Sequence, residues 1–167
     1  PHLLSKHLVH MGKWNYKTYW IGSSTDLIES TKLATTESEQ KQNLLQCLTD
    51  LQPYAIPGND KEYANLLLEA GLHERRVRGN KQKALVYFEQ AHTYAPKLGR
   101  NIYYLTITHA ELGNLLAAKN YSDLLVELKY QPFKQTLKVA IHTSLAVSAY
   151  QSAADYAVRY LNRWQDD

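Results

Sequence analysis

The feature that most constrains this chain is a short internal repeat. A Gly-Asn pair at residues 79–80 precedes an alanine at position 84, and the same pattern returns at residues 113–114 and 118. The two copies are 34 residues apart, which is the length of a helix–turn–helix unit. Stacked copies of such a unit bury one continuous core between neighbouring hairpins. The period therefore predicts helical hairpins packed side by side, an architecture that usually grips a peptide or another protein.

The first copy resembles the second half of a tetratricopeptide repeat. That family has a small turn residue, an alanine, an aromatic residue, a second alanine and a proline at fixed offsets. The corresponding residues here are Gly79, Ala84, Phe88, Ala91 and Pro96. Glycine permits the tight turn, the alanines let helix backbones approach closely, and proline cannot continue a helix.

The later copies diverge from this pattern. The copy that begins at Gly113 has Ser122 where the family has an aromatic residue. A third copy would place Ala149 in the position of the turn glycine. Residues 153–154 would then echo residues 117–118 at a spacing of 36.

The resemblance, which covers roughly residues 60–132, implies an all-α fold in which antiparallel helical hairpins stack as a short right-handed α-solenoid. We expect divergent N-terminal helical hairpins over residues 1–52 and tetratricopeptide-like repeats over residues 60–167. These would form one continuous solenoid of roughly eight to ten helices, within a longer protein. The clearest break is the segment 52–59, which holds two prolines and a glycine.

Apolar periodicity and capping residues predict the helices after residue 35. The expected helices cover about residues 36–51, 60–76, 81–94, 99–112, 115–129, 134–149 and 152–164. Asn59 is the predicted cap of the second of these helices. No segment alternates between apolar and polar residues persuasively enough to predict a strand.

Composition gives no support for catalysis. Only seven glycines are present and none cluster into a phosphate-binding loop. His7 and His10 share a helical face, but two imidazoles need a third ligand to hold a metal. The single cysteine, Cys47, stands among leucines and is predicted to be a buried structural thiol. We therefore expect no enzyme activity, no cofactor and no metal, and no apolar run is long enough to span a membrane.

The strongest charge feature is the basic run at residues 73–83, which holds five cations and one acid. This run carries +4 and the chain carries +3, so the remainder is near −1. A basic turn can bind an acidic peptide or phosphates. It can equally be a solvated turn whose arginines complement the dipole at a helix C-terminus. Because nucleic-acid readers spread cations over a larger face, a protein or acidic peptide is the expected partner and nucleic acid is not.

The family binds peptides on a concave wall formed by the first helix of each hairpin, so the resemblance implies contacts on those helices here. The partner-binding residues predicted on this wall and in the basic turn are Glu69, His73, Arg75, Arg76, Arg78, Tyr103, Ile107, Lys138 and His142.

The first helix before the basic turn is one residue longer than the family pattern, which leaves two registers open for the helix at 60–77. One register presents Glu69, His73 and Arg76 on the concave wall. The other presents Leu68, Leu72 and Arg75. The sequence does not decide between these faces.

Two functions remain open from the sequence. The first is a protein–protein interaction module that binds a peptide or partner domain on the concave helical face or the basic turn. The alternative is a structural or sensor arm of a larger multidomain regulator, whose helices pack on their own chain. A helical enzyme domain would instead need a ligand-sized pocket lined by titratable groups.

Overall fold

The computed structural model describes residues 37–165. Every regular element in this range is helical, which confirms the predicted all-α class. The elements are α1 (Glu37–Leu51), a 3₁₀ helix (Gln52–Tyr54), α2 (Lys61–Arg76), α3 (Lys81–Tyr94), α4 (Gly99–Glu111), α5 (Leu115–Glu127), α6 (Phe133–Ala146) and α7 (Tyr150–Arg163). Most of the N-terminal hairpins predicted over residues 1–52, together with His7 and His10, lies outside the described residues.

The chain divides into two compact units, the first ending at Pro96 and the second beginning at Lys97. In the first unit α2 packs against both α1 and α3. In the second unit each helix from α4 to α7 packs against the next one along the chain. Neighbouring helices therefore pair as hairpins within each unit, as the repeat predicts.

The α2–α3 hairpin is antiparallel and tightly packed. The Gly58 N–H donates to the Thr93 carbonyl at 2.9 Å, so the start of α2 lies beside the end of α3. The predicted core residues Ala84, Phe88 and Ala91 are all fully buried, with exposures of 0%. At Gly71 a Cβ atom would collide with the Phe88 ring, so the two helices approach within a distance that only glycine permits.

The cap of α2 is Asp60 and not the predicted Asn59. The Asp60 carboxylate accepts the N–H of Tyr63 at 3.1 Å and the N–H of Ile56 at 3.2 Å. One side chain thus satisfies a donor of the first helical turn and a donor of the preceding loop. The neighbouring asparagine, one position earlier, is exposed.

Cys47 is fully buried within α1. Burial raises the pKa of its thiol because the charged thiolate would lose hydration. The thiol is therefore protonated at neutral pH and inert as a nucleophile. The prediction of a buried structural thiol is confirmed.

The turns between paired helices share one backbone geometry. Gly79 and Gly113 have φ angles of 63° and 82°, and Ser148 adopts the same left-handed conformation with φ 59°. After α6, the Ser148 N–H donates to Leu145 and the Ala149 N–H donates to Ser144, which closes the turn.

The predicted register of the third copy is therefore wrong by one residue. Ser148 stands in the position of the turn glycine, and Ala149 precedes the first residue of α7. Consistently, Ala153 is buried at 6% exposure while Ala154 is exposed. The hydrogen-bonded turn decides which residue takes the left-handed conformation, whatever its side chain.

Replacement of Ser148 by glycine is expected to stabilise the second unit by about 0.5–1 kcal/mol, because glycine adopts positive φ without the clash of a Cβ atom. Chemical denaturation monitored by circular dichroism measures this difference. The matched control is Ser152→Gly inside α7, which should destabilise the unit by about 0.5 kcal/mol. A loss of stability in Ser148→Gly would contradict the assigned turn.

Candidate partner-binding site

The nine residues predicted to bind a partner fall into two groups. Five lie in the first unit, on the last two turns of α2 and in the turn that follows it. The other four lie in the second unit: Tyr103 and Ile107 on α4, and Lys138 and His142 on α6. Each group therefore lies within one of the two compact units.

An open groove of about 150 Å³ runs between α1 and the C-terminal half of α2. We call it the α1–α2 groove, and its lining residues are Gln40, Lys41, Leu44, Glu69, Leu72, His73, Arg76 and Val77. Three of the predicted residues, Glu69, His73 and Arg76, therefore share this surface. They are the members of one of the two registers that the sequence left open.

The two leucines of the other register point into the protein, and only its third member, Arg75, is partly exposed. Leu68 is fully buried and Leu72 is 2% exposed, so neither offers a contact surface beyond the floor of the groove. The extra residue lies in the turn: the Asn80 N–H donates to the Glu74 carbonyl six residues back. In the α4–α5 turn the corresponding bond spans five residues. The longer turn absorbs the extra residue, so the groove presents the face that contains Glu69.

Beneath the basic run lies a buried carboxylate. Glu74 is 1% exposed, and its Oε1 atom lies 2.6 Å from the Nζ atom of Lys41 and 3.6 Å from that of Lys83. The Nε atom of Arg78 lies 3.9 Å from its Oε2 atom. These four residues, which we call the Glu74 cluster, connect α1, α2 and the start of α3.

The cluster keeps Glu74 ionised. Burial by itself raises the pKa of this carboxyl group, because the charged form loses hydration. The hydrogen bond and charge of Lys41, followed by the charges of Lys83 and Arg78, outweigh burial and hold the pKa below its ordinary value. Glu74 is therefore an anion at neutral pH.

Because of the Glu74 cluster, part of the basic run is paired with an acid of the same chain. Two of its five cations, Arg78 and Lys83, lie within ion-pair distance of an internal acid. Their side chains remain more than half exposed, but they are held at the protein surface by Glu74. Arg75 and Arg76 are the cations of the run in the last turn of α2, and Arg76 lines the groove.

His73 is the most unusual residue of the α1–α2 groove. Neither ring nitrogen is exposed to solvent, and neither has a hydrogen-bond partner among residues 37–165. A buried imidazole without a partner loses the hydrogen bonds it made to water. A rotation of the imidazole ring toward the groove would let a ligand group restore one of them.

In the second group of predicted residues, Lys138 and His142 are exposed, whereas Tyr103 and Ile107 are half-buried. The Tyr103 ring lies 5.6 Å from that of Tyr104 and 6.2 Å from that of Tyr130, so it belongs to an aromatic cluster. The Lys138 ammonium lies 5.7 Å above the Tyr160 ring. The α4 pair and the α6 pair lie on two different helices, both of which pack against α5.

A polar network that the sequence did not reveal connects α5 with its neighbours. Ser122 Oγ lies 2.6 Å from Thr143 Oγ1 of α6. The Tyr156 hydroxyl of α7 donates to Asp123 at 2.7 Å, and the Lys119 ammonium donates to the other carboxylate oxygen at 2.6 Å. Burial and the bond to Asp123 raise the pKa of Tyr156. The network stabilises the packing of α5 against α6 and α7. At the position where the repeat has an aromatic side chain, Ser122 contacts α6 through a hydrogen bond with Thr143.

Within the described range, no group of three or more His, Cys, Asp and Glu side chains is placed to hold a metal ion. No helix between residues 37 and 165 is long and apolar enough to cross a bilayer. A scan against models of known protein families finds no match for this chain, and a search of curated proteins finds none either. The tetratricopeptide resemblance therefore stays a prediction that rests on the repeat residues.

Proposed function

We propose that the first unit is a protein–protein interaction module that binds an acidic segment of a partner protein in the α1–α2 groove. The observation that carries this proposal is the half-buried imidazole of His73, which lines the groove together with Lys41 and Arg76. Its two ring nitrogens are buried and have no hydrogen-bond partner within residues 37–165. An acidic side chain entering the groove would meet a hydrogen-bonding group and positive charge together.

The size of the groove favours a peptide over a small metabolite. Its volume of about 150 Å³ is below the ~300–1,000 Å³ of ordinary small-molecule sites, and it suits one or two side chains of an extended or helical segment. Leu72 contributes an apolar floor, and Val77 is 45% exposed at the rim. A segment with acidic and apolar residues would therefore use both kinds of surface.

The cations beside the groove would act mainly on the rate of association. Arg76 is exposed and Arg75 is partly exposed, and charges at the rim of an interface steer the encounter of oppositely charged partners. Screening by salt weakens such steering. Binding should accordingly become slower as ionic strength rises.

The double reversal Arg75→Glu/Arg76→Glu tests this proposal. We expect it to slow association with a fluorescent pool of Glu- and Leu-containing peptides by about tenfold or more, and to weaken the salt dependence. Stopped-flow fluorescence anisotropy measures both. Arg78 is left unchanged because its reversal would disturb the Glu74 cluster. Lys61→Glu, an exposed reversal at the opposite end of α2, is the matched control and should leave association nearly unchanged.

A second variant separates steering from contact in the groove. His73→Leu keeps an apolar side chain of similar size and removes both ring nitrogens, so it should raise the dissociation rate while the association rate stays the same. The proposal is wrong if the acidic pool binds no better than a pool in which Gln replaces Glu. It is equally wrong if the double reversal and His73→Leu leave both rates unchanged.

One observation favours the alternative, a structural arm that packs on another part of a larger protein. Large apolar side chains are exposed near the turns that connect α4 to α5 and α6 to α7. They are Leu115, Leu116, Leu145 and Tyr150, with exposures of 39–68%. If the chain is a structural arm, analytical ultracentrifugation should show self-association through these exposed side chains, and the double variant Leu116→Ser/Tyr150→Ser should abolish it. The acidic peptide pool should then not bind.

A further inference from the structure

The second unit contains an open cleft of about 390 Å³ between the α5–α6 loop and the C-terminal half of α7. We call it the basic cleft. Its lining residues are Lys129, Gln131, Phe133, Arg159, Asn162 and Arg163. Three of these carry positive charge and none is acidic. We propose that the basic cleft binds a ligand through a phosphate group.

The cations converge because of the hairpin geometry. Arg159 and Arg163 are four residues apart on α7, so their side chains project from one face of the helix. Antiparallel pairing of α6 and α7 brings this face next to Phe133, the first residue of α6. Lys129 approaches from the loop, where its backbone has a φ angle of 52°.

The loop that presents Lys129 is held by its own side chains. The Gln131 Oε1 atom accepts the Phe133 N–H at 3.1 Å, and its Nε2 atom donates to the Lys129 carbonyl at 3.3 Å. Thr136 donates to the Tyr130 carbonyl at 2.9 Å. These bonds fix the path of the loop before any ligand arrives, which lowers the entropy that binding must remove.

The two guanidinium groups are positioned by an aromatic ring. The Cζ atoms of Arg159 and Arg163 lie 5.7 Å and 5.3 Å from the centre of the Phe133 ring, and Phe133 is only 8% exposed. A guanidinium that rests on a ring keeps the N–H groups at its edge directed toward other acceptors. Such forks match the oxygens of a phosphate.

None of the residues that line the basic cleft is an acid that could neutralise this charge. Within residues 37–165, no carboxylate forms an ion pair with Lys129, Arg159 or Arg163. Asp155, one turn before Arg159, accepts instead from the Gln151 amide at 3.0 Å. This contrasts with the first unit, where Glu74 engages three cations. A cleft lined by charge of one sign concentrates the field and attracts ions of the opposite sign.

A phosphate monoester fits this site better than a carboxylate. It carries about −1.5 to −2 charges at neutral pH and three acceptor oxygens, so it can engage three cations, whereas a single carboxylate leaves two unneutralised. The volume of about 390 Å³ lies within the range of ~300–1,000 Å³ for small-ligand sites. The cleft therefore has room for the organic group that bears the phosphate. The Asn162 amide can contact this organic group. That group belongs either to a free phosphorylated compound or to a phosphorylated side chain of a protein.

Isothermal titration calorimetry with two probes tests the proposal and distinguishes these sources. Glycerol 3-phosphate represents a free phosphorylated compound, and a short phosphoserine peptide represents a phosphorylated protein. Glycerol and the unphosphorylated peptide are their controls. We expect at least one phosphorylated probe to bind and both controls to fail, and the tighter of the two probes identifies the source.

Arg159→Gln/Arg163→Gln should weaken binding of that probe by about tenfold or more, because bonds to a charged acceptor are among the strongest hydrogen bonds. Arg100→Gln/Lys138→Gln is the matched control, since it removes two cations of the same unit that also lie over aromatic rings. It should change affinity by less than about twofold, because neither cation lines the basic cleft and salt screens the charges outside it. Lys129→Gly removes the loop cation in a backbone conformation that suits glycine. It should also weaken binding, which keeps the test decisive if the arginine variant is poorly folded.

The proposal is overturned if neither phosphorylated probe produces binding heat. It is also overturned if both variant pairs lose affinity equally, which indicates only general attraction, or if Lys129→Gly and the arginine variant bind like the parent chain. Preferential binding of a single-stranded oligonucleotide over both probes would also reject it. The basic cleft shares no residue with the α1–α2 groove, so either proposal can fail without the other.

Discussion

Phe88→Ala is expected to lower the free energy of unfolding of the first unit by about 3–5 kcal/mol, the range for removing a buried aromatic side chain. The Phe88 ring is 0% exposed and lies against Gly71, where α2 and α3 approach most closely. The backbone of the hairpin cannot move inward easily, because Ala84 and Ala91 already bring the helices together. A cavity would therefore remain. Urea denaturation followed by far-ultraviolet circular dichroism measures the loss.

Val86→Ala is the matched control for Phe88→Ala. Val86 lies two residues away on the same helix, but its side chain is 57% exposed. Its replacement should change stability by no more than about 0.5 kcal/mol. Similar losses for the two variants would show that the helix faces are assigned wrongly.

Lys41→Met should destabilise the first unit by about 3 kcal/mol at pH 7, because it leaves a buried carboxylate without its closest cation. Methionine keeps most of the apolar stem of Lys41, so packing changes little. The remaining cations, Lys83 and Arg78, lie farther from Glu74 and are more than half exposed. They are therefore screened by water and cannot replace the ammonium group.

The double variant Lys41→Met/Glu74→Leu separates ion pairing from other causes. Replacing both members of a buried pair by apolar residues is often neutral or stabilising. We expect the second substitution to recover most of the stability that Lys41→Met loses. If the double variant is no more stable than Lys41→Met, an unpaired Glu74 carboxylate is not the source of the loss.

The same cluster makes stability depend on pH. The pKa of Glu74 is lower in the folded chain than its unfolded value of about 4.3. Its ionised form therefore stabilises the fold above that value, and the contribution is lost as the pH falls through the folded-state pKa. Stability curves should show a decrease in the parent chain below about pH 4.3 that is smaller in Glu74→Gln. Equal acid dependence of the two proteins would exclude Glu74 as a contributor.

Local features of the sequence were sufficient for the helices. Apolar periodicity predicted α3 with both ends correct, because Asn80 caps it and Pro96 follows soon after its last residue. The alanines and Phe88 of the repeat were placed in the core correctly, since their spacing puts them on one helical face. These properties depend on residues within one or two helical turns of each other.

The two register errors have the same origin. Whether Asn59 or Asp60 caps α2, and whether Ser148 or Ala149 takes the left-handed position, depends on which backbone donors the turn leaves unpaired. Both residues of each pair are chemically acceptable in the sequence. Only the hydrogen bonds of the folded turn distinguish them, so a shift of one residue was beyond sequence reasoning.

The sequence by itself determined the helical class, the approximate bounds of the helices in the described range, and the buried face of α3. The tertiary structure alone decided which charges meet. Lys41 and Glu74 are 33 residues apart in the chain, and Lys129 is 30 residues from Arg159. The pairing of Lys41 with Glu74 turned part of a basic run into an internal ion cluster. The convergence of Lys129 and Arg159 created a cleft whose lining, among the described residues, includes no acid. Helix periodicity reports which face of a helix is apolar, whereas the partner of a polar side chain depends on how separate helices pack, and that information is not local.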